Sequence, residues 1–316
     1  MKEGTTGRML RRAARSRRRR RLARIVLRTA APLLPRKAPP TQPIFILGSP
    51  RSGTTLLFEL LGRSPHVASL EAESHLLWEM FHDLPAARFS SHEVGPEDIT
   101  RRERKVLYFA IDRVAAGRRY LDKAPRNCLR VPYLDAMFPG AWFVHLKRDG
   151  RAAVSSLITG WRAPGGMFPG ALMPVPLSIR GYEGETWKFI VPPGWEEYAS
   201  GRSLEEVCAF QWVSANQAIL AARERIGTDR WIEVGFEEFV DSPQEQAAQL
   251  LERLGLPLDP EVLVHAGSLD RHVTKAVTPP RPDKWRTENP GEIERILPMI
   301  EPTMRRLGYE LARPAE

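Results

Sequence analysis

A short segment near position 50 narrows the possible folds of this sequence more than any other part. Residues 44–47 read IFIL, an apolar run bounded by Pro43 and Gly48, which is typical of a buried parallel strand. Residues 48–57 follow as GSPRSGTTLL and lead into an apolar-periodic helix. A glycine-rich turn between a strand and a helix directs backbone N–H groups and the positive end of the helix dipole at one point, which suits a phosphate. The segment therefore predicts an anion-binding turn after the first strand.

Two more apolar runs predict strands later in the chain. They are WFVHL at 142–146 and WIEV at 231–234, and each is followed by a helical pattern. Strands that alternate with helices need crossover connections, which favours a mostly parallel sheet with helices on both faces. We therefore expect an α/β fold with three layers, αβα. Further helices are expected over 98–116, 204–226, 243–254 and 291–307.

The positive charge of the chain is concentrated at its N-terminus. The formal net charge is +9 over 316 residues, with 47 Lys and Arg against 38 Asp and Glu. Fourteen of these cations and the single acid Glu3 lie within residues 1–40, so residues 41–316 are mildly acidic. Because like charges repel, residues 1–40 are predicted to be a disordered or peripheral arm. The arm is either a solvated tail or a contact with an anionic membrane or partner, and specific nucleic-acid binding is disfavoured because no aromatic residue interleaves the arginines.

Residues 41–316 are expected to form a single domain. The sequence is 42% hydrophobic and 27% charged, which excludes collagen-like, disordered and disulfide-rich proteins. An excursion is expected at about 160–201, where a third of the residues are Gly or Pro, and it is either a packed surface loop or a lid or acceptor-binding wall. The two cysteines and the lack of a long apolar stretch favour a cytoplasmic protein, peripheral to the inner face of the membrane if the arm binds lipid.

The turn differs from the Walker A pattern of nucleotide-binding proteins. In that pattern a lysine follows the second glycine, but here Thr54 follows Gly53. The cation of the turn is instead Arg51, whose guanidinium offers two donors to a nearer anion such as a 5′-phosphate that carries one small group. A kinase or nucleotidase acting on ATP with magnesium is the alternative, although it needs that lysine and an acid at the end of a neighbouring strand.

The turn resembles the donor-binding loop of a known enzyme family. The sequence PRSGTTLL at 50–57 is similar to that of the sulfotransferases that use 3′-phosphoadenosine 5′-phosphosulfate (PAPS), in particular the bacterial branch related to tyrosylprotein and carbohydrate enzymes. The resemblance implies a P-loop-like sulfotransferase fold, transfer of a sulfonate group from PAPS to a hydroxyl acceptor, and no metal in the chemical step. The acceptor is a carbohydrate, a lipid-linked glycan or another small molecule. The resemblance also implies that the 5′-phosphosulfate contacts Arg51, Ser52, Gly53, Thr54 and Thr55.

A second motif follows the strand predicted at 142–146. The sequence LKRDGRAAVSS at 146–156 resembles the family's 3′-phosphate motif, which implies that Arg148 and Ser156 bind that phosphate. Arg148 would be a charge-assisted donor fixed by the strand, and Ser156 a hydroxyl two turns along the next helix. The alternative is that Arg148 only forms an ion pair with Asp149 at the start of the helix.

Three further segments extend the resemblance. YLDKAPRN at 120–127 is similar to a segment whose lysine contacts the transferring sulfonate and the leaving group, which implies this role for Lys123. Residues 273–286 resemble a segment that folds over the nucleotide and supplies another cation, here Lys284. VGFEEF at 234–239 departs from the family, which often has tyrosine where this chain has Phe236, so a hydroxyl contact is lost while stacking or packing can remain.

The catalytic base is expected in the segment PHVASLEAESH at 65–75. In the tyrosylprotein and bacterial branches a glutamate of this segment is the base, and Glu73 best matches that pattern. Glu71 is an alternative, because residues two apart in an extended segment point to the same side. His75 is another, because cytosolic branches of the family use histidine. The resemblance thus implies a proton acceptor beside the attacking hydroxyl and leaves three residues open for it.

Overall fold

The structure is a computed structural model that describes residues 4–82, 91–164, 167–168, 170–268 and 283–310. The helices are α1 Thr5–Ala14, α2 Arg17–Ala30, α3 Thr54–Leu61, α4 His75–Trp78, α5 Arg101–Ala115, α6 Val131–Met137, α7 Gly150–Arg162, α8 Leu204–Ile226, α9 Phe236–Asp241, α10 Pro243–Arg253, α11 Pro260–Ala266, α12 Trp285–Glu288 and α13 Pro290–Arg306. The strands are β1 Ile44–Leu47, β2 Val67–Ala68, β3 Arg119–Lys123, β4 Trp142–Lys147, β5 Ala171–Leu172, β6 Ser178–Arg180, β7 Thr186–Trp187, β8 Ser200–Ser203 and β9 Trp231–Gly235. Short 3₁₀ turns occur at Pro96–Asp98, Pro125–Leu129 and Trp195–Tyr198.

The central sheet has the strand order β2-β3-β1-β4-β9, and every neighbouring pair is parallel. Alternate residues of β1 enter different cores, because successive side chains of a strand point to opposite faces. Phe45 and Leu47 pack in the core that includes α5 and α6, whereas Ile44 and Ile46 pack in the core that includes α3 and α10. The predicted α/β fold with a parallel sheet between two helical layers is confirmed.

β1 is the strand at which the direction of the sheet order reverses. The chain runs from β1 out to β2, returns through β3, and then continues on the other side of β1 with β4 and β9. The crevice outside the carboxyl end of such a strand is where open parallel sheets bind ligands. The glycine-rich turn follows β1 at this end, so the fold places the predicted anion-binding turn where parallel sheets commonly bind ligands.

Strand β3 is not an apolar run, because it contains charged residues. The strand contains Asp122 and Lys123, and both side chains are buried. The Asp122 carboxylate accepts hydrogen bonds from Trp78 Nε1 at 2.9 Å and from Asn127 Nδ2 at 2.6 Å, which offsets part of its desolvation. Local composition therefore predicts only β1, β4 and β9, whereas long-range hydrogen bonds complete the sheet.

The first forty residues differ from the disordered arm that their charge predicts. Residues 5–30 form α1 and α2, and both helices pack into the hydrophobic core on the side of the sheet that carries α5. Leu10, Ala14 and Leu27 are buried in that core, because small apolar residues recur between the arginines at helical spacing. Among the helices in the described ranges, none has the length and apolar character needed to cross a membrane.

The excursion at about 160–201 is folded onto the molecule. Its described residues form the short antiparallel pair β5 and β7 and the parallel pair β6 and β8. Trp187 and Trp195 are buried, and they pack with Trp161 of α7 in a third apolar cluster. The aromatic residues of the excursion thus anchor it to α8 and to α7, the helix that carries the second motif.

Candidate functional site

The glycine-rich turn after β1 is built around close backbone approaches. A Cβ atom on Gly48 would lie 2.8 Å from Thr54 Cγ2 and 2.9 Å from the carbonyl oxygen of Leu146, so only glycine fits between β1 and β4. Gly53 has a φ of +94° and begins α3 without a side-chain cap. The first N–H groups of α3 consequently have no capping side chain among the described residues, which suits an anionic ligand.

Arg51 turns from this loop toward α7. Its backbone has a φ of +71°, and its Nε donates a hydrogen bond to Ser156 Oγ at 3.1 Å. The guanidinium also lies over the ring of Phe168, 4.8 Å from its centroid. Burial, with a contribution from the nearby charge of Arg148, lowers the pKa of Arg51 to about 10. Two predicted donor-binding residues that are 105 positions apart are thus in direct contact.

Arg148 at the end of β4 supports the same loop. Its Nη1 donates to the carbonyl oxygen of Arg51 at 2.7 Å, and the guanidinium is nearly buried. Burial lowers the pKa of Arg148, although the negative charges of Glu237 and Asp149 oppose that shift. Asp149 itself accepts from Arg151 Nε at 3.0 Å and caps α7, so the carboxylate of the predicted alternative ion pair contacts Arg151.

Phe236 occupies the position where the sequence departs from the family pattern. Its ring lies 4.4 Å from the guanidinium carbon of Arg148. A Cβ atom on Gly53 would lie 2.6 Å from the same ring, so the ring also closes the back of the glycine-rich turn. Stacking and packing are therefore retained at this position without the tyrosine hydroxyl.

Glu73 lies beside Lys123 at the carboxyl end of β3. Its Oε1 is 2.6 Å from Lys123 Nζ, and its Oε2 is 3.0 Å from His75 Nε2. The Lys123 side chain is almost fully buried, whereas that of Glu73 is 23% exposed. The structure thus brings together two predicted catalytic residues and the histidine alternative, with the carboxylate nearest to solvent.

The chain of contacts continues to Glu79, which the sequence analysis missed. Glu79 Oε1 lies 3.0 Å from His75 Nδ1 and 2.7 Å from Arg126 Nη1, while Oε2 pairs with Arg24 of α2. Burial opposes the charged form of His75, but hydrogen bonds to Glu73 and Glu79 outweigh it and raise the pKa of His75. Burial likewise opposes the charge of Glu79, yet His75, Arg126 and Arg24 hold the pKa of Glu79 well below its ordinary range. The spacing of four residues between His75 and Glu79 is the one local signal of this contact.

Glu71 points in another direction. Its φ is +55°, so the segment is not extended at this residue. Its carboxylate pairs with Arg11 at 2.9 Å and with Arg15, both on α1, and nearly half of the side chain is exposed. The premise that Glu71 and Glu73 face the same side is therefore wrong.

The predicted C-terminal cation lies at the edge of the site. Lys284 Nζ is 3.2 Å from Glu288 Oε1, and Lys284 is the N-cap of α12. The segment is tied to α7, because Asn289 Nδ2 donates to Ser155 Oγ at 2.8 Å and Trp285 lies against Arg151. Residues 273–282 of the same predicted segment lie outside the described residues.

These features define a class of protein: a parallel α/β fold with a glycine-rich turn at the reversal of its strand order and cations at the ends of three adjacent strands. The family model described as "Sulfotransferase family" matches residues 43–169 and 190–260, so the chain belongs to the sulfotransferase family. This membership argues against the kinase or nucleotidase alternative.

Individual relatives point the same way. Protein-tyrosine sulfotransferase A of Caenorhabditis elegans is 26% identical over 290 residues, covering 84% of this chain and 67% of that protein. Protein-tyrosine sulfotransferase of Drosophila melanogaster is 25% identical over 293 residues, covering 84% of this chain and 51% of that protein. The chain thus spans about half to two thirds of these relatives. A solved sulfotransferase from Mycobacterium avium has the same fold, with a TM-score of 0.56, 18% identity, and coverage of 87% of this chain and 79% of that one.

Proposed function

We propose that this protein transfers a sulfonate group from PAPS to a hydroxyl acceptor and releases 3′-phosphoadenosine 5′-phosphate (PAP). The observation that carries the proposal is the convergence of Arg51 and Arg148, from the ends of neighbouring strands, beside the uncapped start of α3. The charge of Arg148 disfavours that of Arg51, and a ligand with two separate phosphates would offset this repulsion. The turn and Arg51 suit the 5′-phosphosulfate, and Arg148 with Ser156 suits the 3′-phosphate.

Glu73 is the proposed base. The acceptor oxygen attacks sulfur as the bond from sulfur to the 5′-phosphate oxygen breaks, and the hydroxyl proton passes to the Glu73 carboxylate. Lys123, 2.6 Å from that carboxylate, neutralises charge on the sulfonate and the leaving phosphate. Arg51 and the N–H groups at the start of α3 serve the same leaving group.

His75 is proposed to position the base and not to act as one. Its ring nitrogens contact Glu73 and Glu79, and its pKa is raised, which favours the protonated ring near neutral pH. A protonated imidazole has no lone pair with which to accept the acceptor's proton. It holds Glu73 by a charge-assisted hydrogen bond instead.

Cations of the chain supply the charge neutralisation in this scheme, so we predict that chelating agents leave turnover unchanged. Lys284 is proposed to be a further cation that contacts the nucleotide. The acceptor is proposed to be a carbohydrate, lipid-linked or other small-molecule hydroxyl, consistent with the anchored excursion next to α7. A cytoplasmic location remains a prediction that fits two buried, unbridged cysteines.

Thermal stabilisation by nucleotides tests the donor. A ligand that binds only the folded state raises its stability as RT ln(1 + [L]/Kd). We expect PAP to raise the melting temperature without metal, and 5′-ADP to raise it less because it lacks the 3′-phosphate. A shift produced only by ATP with magnesium would overturn the proposal.

A further inference from the structure

The outward face of α2 exposes apolar side chains to solvent. Leu22, Ile25 and Val26 are each more than half exposed, and their spacing of three and four places them on one stripe of the helix. Leu33, just beyond the helix, is 88% exposed. Of the eleven large apolar residues that are exposed in the described part of the chain, five lie between positions 9 and 33. This concentration exceeds what scattered surface residues produce.

Arginines border the stripe. Arg17, Arg21 and Arg28 are exposed along one side of it, and Arg19 is exposed on the other. The opposite face of α2 is occupied, because Leu27 and Ala31 pack into the core. The helix is therefore amphipathic in an unusual sense: one face packs on the protein, while the other combines aliphatic side chains with cations.

A basic groove adjoins the C-terminal end of this helix. A cavity of about 680 Å³ lies between Ala31 and Pro32 on one side and the first turns of α5 on the other. A hydrogen bond joins the two sides of the groove, since Lys105 Nζ of α5 donates to the carbonyl oxygen of Pro32 at 2.8 Å. Six cations line it: Arg36, Lys37, Arg101, Arg102, Arg104 and Lys105.

We propose that the outward face of α2 binds the surface of an anionic phospholipid bilayer, with the positive charge of the nearby basic groove adding to the attraction. The aliphatic stripe would enter the boundary between headgroups and acyl chains, and the arginines that border it would contact lipid phosphates. The cations of the groove would add longer-range attraction to the anionic surface. Aliphatic side chains offer nothing to a phosphodiester backbone, and residues 1–40 contain no aromatic ring on which a base could stack, so a bilayer fits this surface better than a nucleic acid. The proposal goes beyond sulfonate transfer and does not depend on it.

Vesicle sedimentation with the full chain tests the proposal. We expect the protein to bind vesicles made from two parts phosphatidylcholine and one part phosphatidylglycerol, and to bind pure phosphatidylcholine vesicles weakly. Replacing Leu22, Ile25 and Val26 by serine should reduce the affinity for the anionic vesicles by roughly tenfold or more. Because all three side chains are exposed, the variant should fold, and unchanged thermal stabilisation by PAP would verify this separately from lipid binding.

A matched control replaces three exposed apolar residues elsewhere, Val240, Leu258 and Val264, by serine. These substitutions should leave vesicle binding unchanged. The proposal is overturned if the wild-type protein does not bind anionic vesicles, or if the two triple variants bind them equally well. It is also overturned if duplex DNA displaces the protein from vesicles and the α2 variant binds both DNA and vesicles as the wild type does, because the surface would then favour nucleic acid.

Discussion

The two halves of the candidate site differ in how their charges are balanced. Around Glu73 the charges alternate, since Lys123, His75 and Glu79 form a chain in which each cation meets a carboxylate within 3.0 Å. Around the glycine-rich turn, Arg148 contacts the backbone of Arg51, and burial, with a smaller contribution from the charge of Arg148, lowers the pKa of Arg51. The charges of one half are thus paired within the protein, whereas a bound polyanion is proposed to offset those of the other. This difference fits the proposal that the base is held by the protein itself and that the donor brings two phosphates to the arginines.

The largest effect is expected from Glu73→Gln, in the part of the site where each cation meets a carboxylate. Loss of the proton acceptor should lower kcat by about 10³-fold, within the usual range for general-base catalysis. Affinity for PAP should be unchanged, because Arg51 and Arg148 are intact. The measurement is PAP release from PAPS with a hydroxyl acceptor, beside PAP binding by calorimetry. Glu71→Gln is the matched control, since Glu71 contacts α1, and equal turnover in both variants would contradict the assignment of the base.

Arg148→Gln changes the part of the site around the glycine-rich turn by removing one of its two arginine charges. Losing a charge-assisted contact to the 3′-phosphate should weaken PAP binding by about 10- to 100-fold. Affinity for 5′-AMP, which lacks that phosphate, should change far less. Arg151→Gln is the control, because Arg151 is three residues away and pairs with Asp149. If the 5′-AMP affinity fell as much as the PAP affinity, Arg148 would serve only to support the loop.

The pH dependence of stability sharpens the comparison, because only the Glu73 half contains a histidine with a raised pKa. A raised folded-state pKa gives stability that is present below the ordinary pKa of 6.5 and is lost as the pH rises through the folded value. We expect the free energy of unfolding to fall over that range by about 1.4 kcal/mol for each unit of pKa shift, and the melting temperature to fall with it. In Glu79→Gln the slope should flatten, because one of the two carboxylates at His75 is gone. An identical slope in both proteins, or NMR titration of His75 below 6.5, would refute this.

Ser156→Ala is the mildest of these tests. Its hydroxyl is neutral, so losing a hydrogen bond to the 3′-phosphate should weaken PAP binding by only about 2- to 10-fold. Thr159→Ala serves as the control, since its hydroxyl lies on the same helix and bonds to the carbonyl oxygen of Ser155. Calorimetry that gave the same affinity for both variants would remove Ser156 from the donor site.

The parts of the fold that follow from local pattern were predictable. Strand β1 is a continuous apolar run, β4 and β9 are largely apolar, and α8 spans the predicted range 204–226. The proximity of Arg51 and Arg148 was predictable as well, because the carboxyl ends of neighbouring parallel strands meet at one edge of a sheet.

Contacts between distant charges were not predictable. The arginines of α1 and α2 appear as a repelling block in the sequence, yet Arg11 and Arg24 find their acids, Glu71 and Glu79, more than fifty positions away. Nothing in the local composition of residues 1–40 indicates those partners. For the same reason the link from α2 through Glu79 to His75 became visible only in three dimensions.

The backbone of Arg51 carries a further consequence. A non-glycine residue with a φ of +71° costs about 1 kcal/mol or more, a cost that asparagine or glycine largely avoids. Screening for thermostable variants alone should therefore select Arg51→Asn or Arg51→Gly. Such a variant would melt at a higher temperature and lose the guanidinium that is proposed to bind the donor, so at this position we expect thermostability and donor affinity to trade against each other.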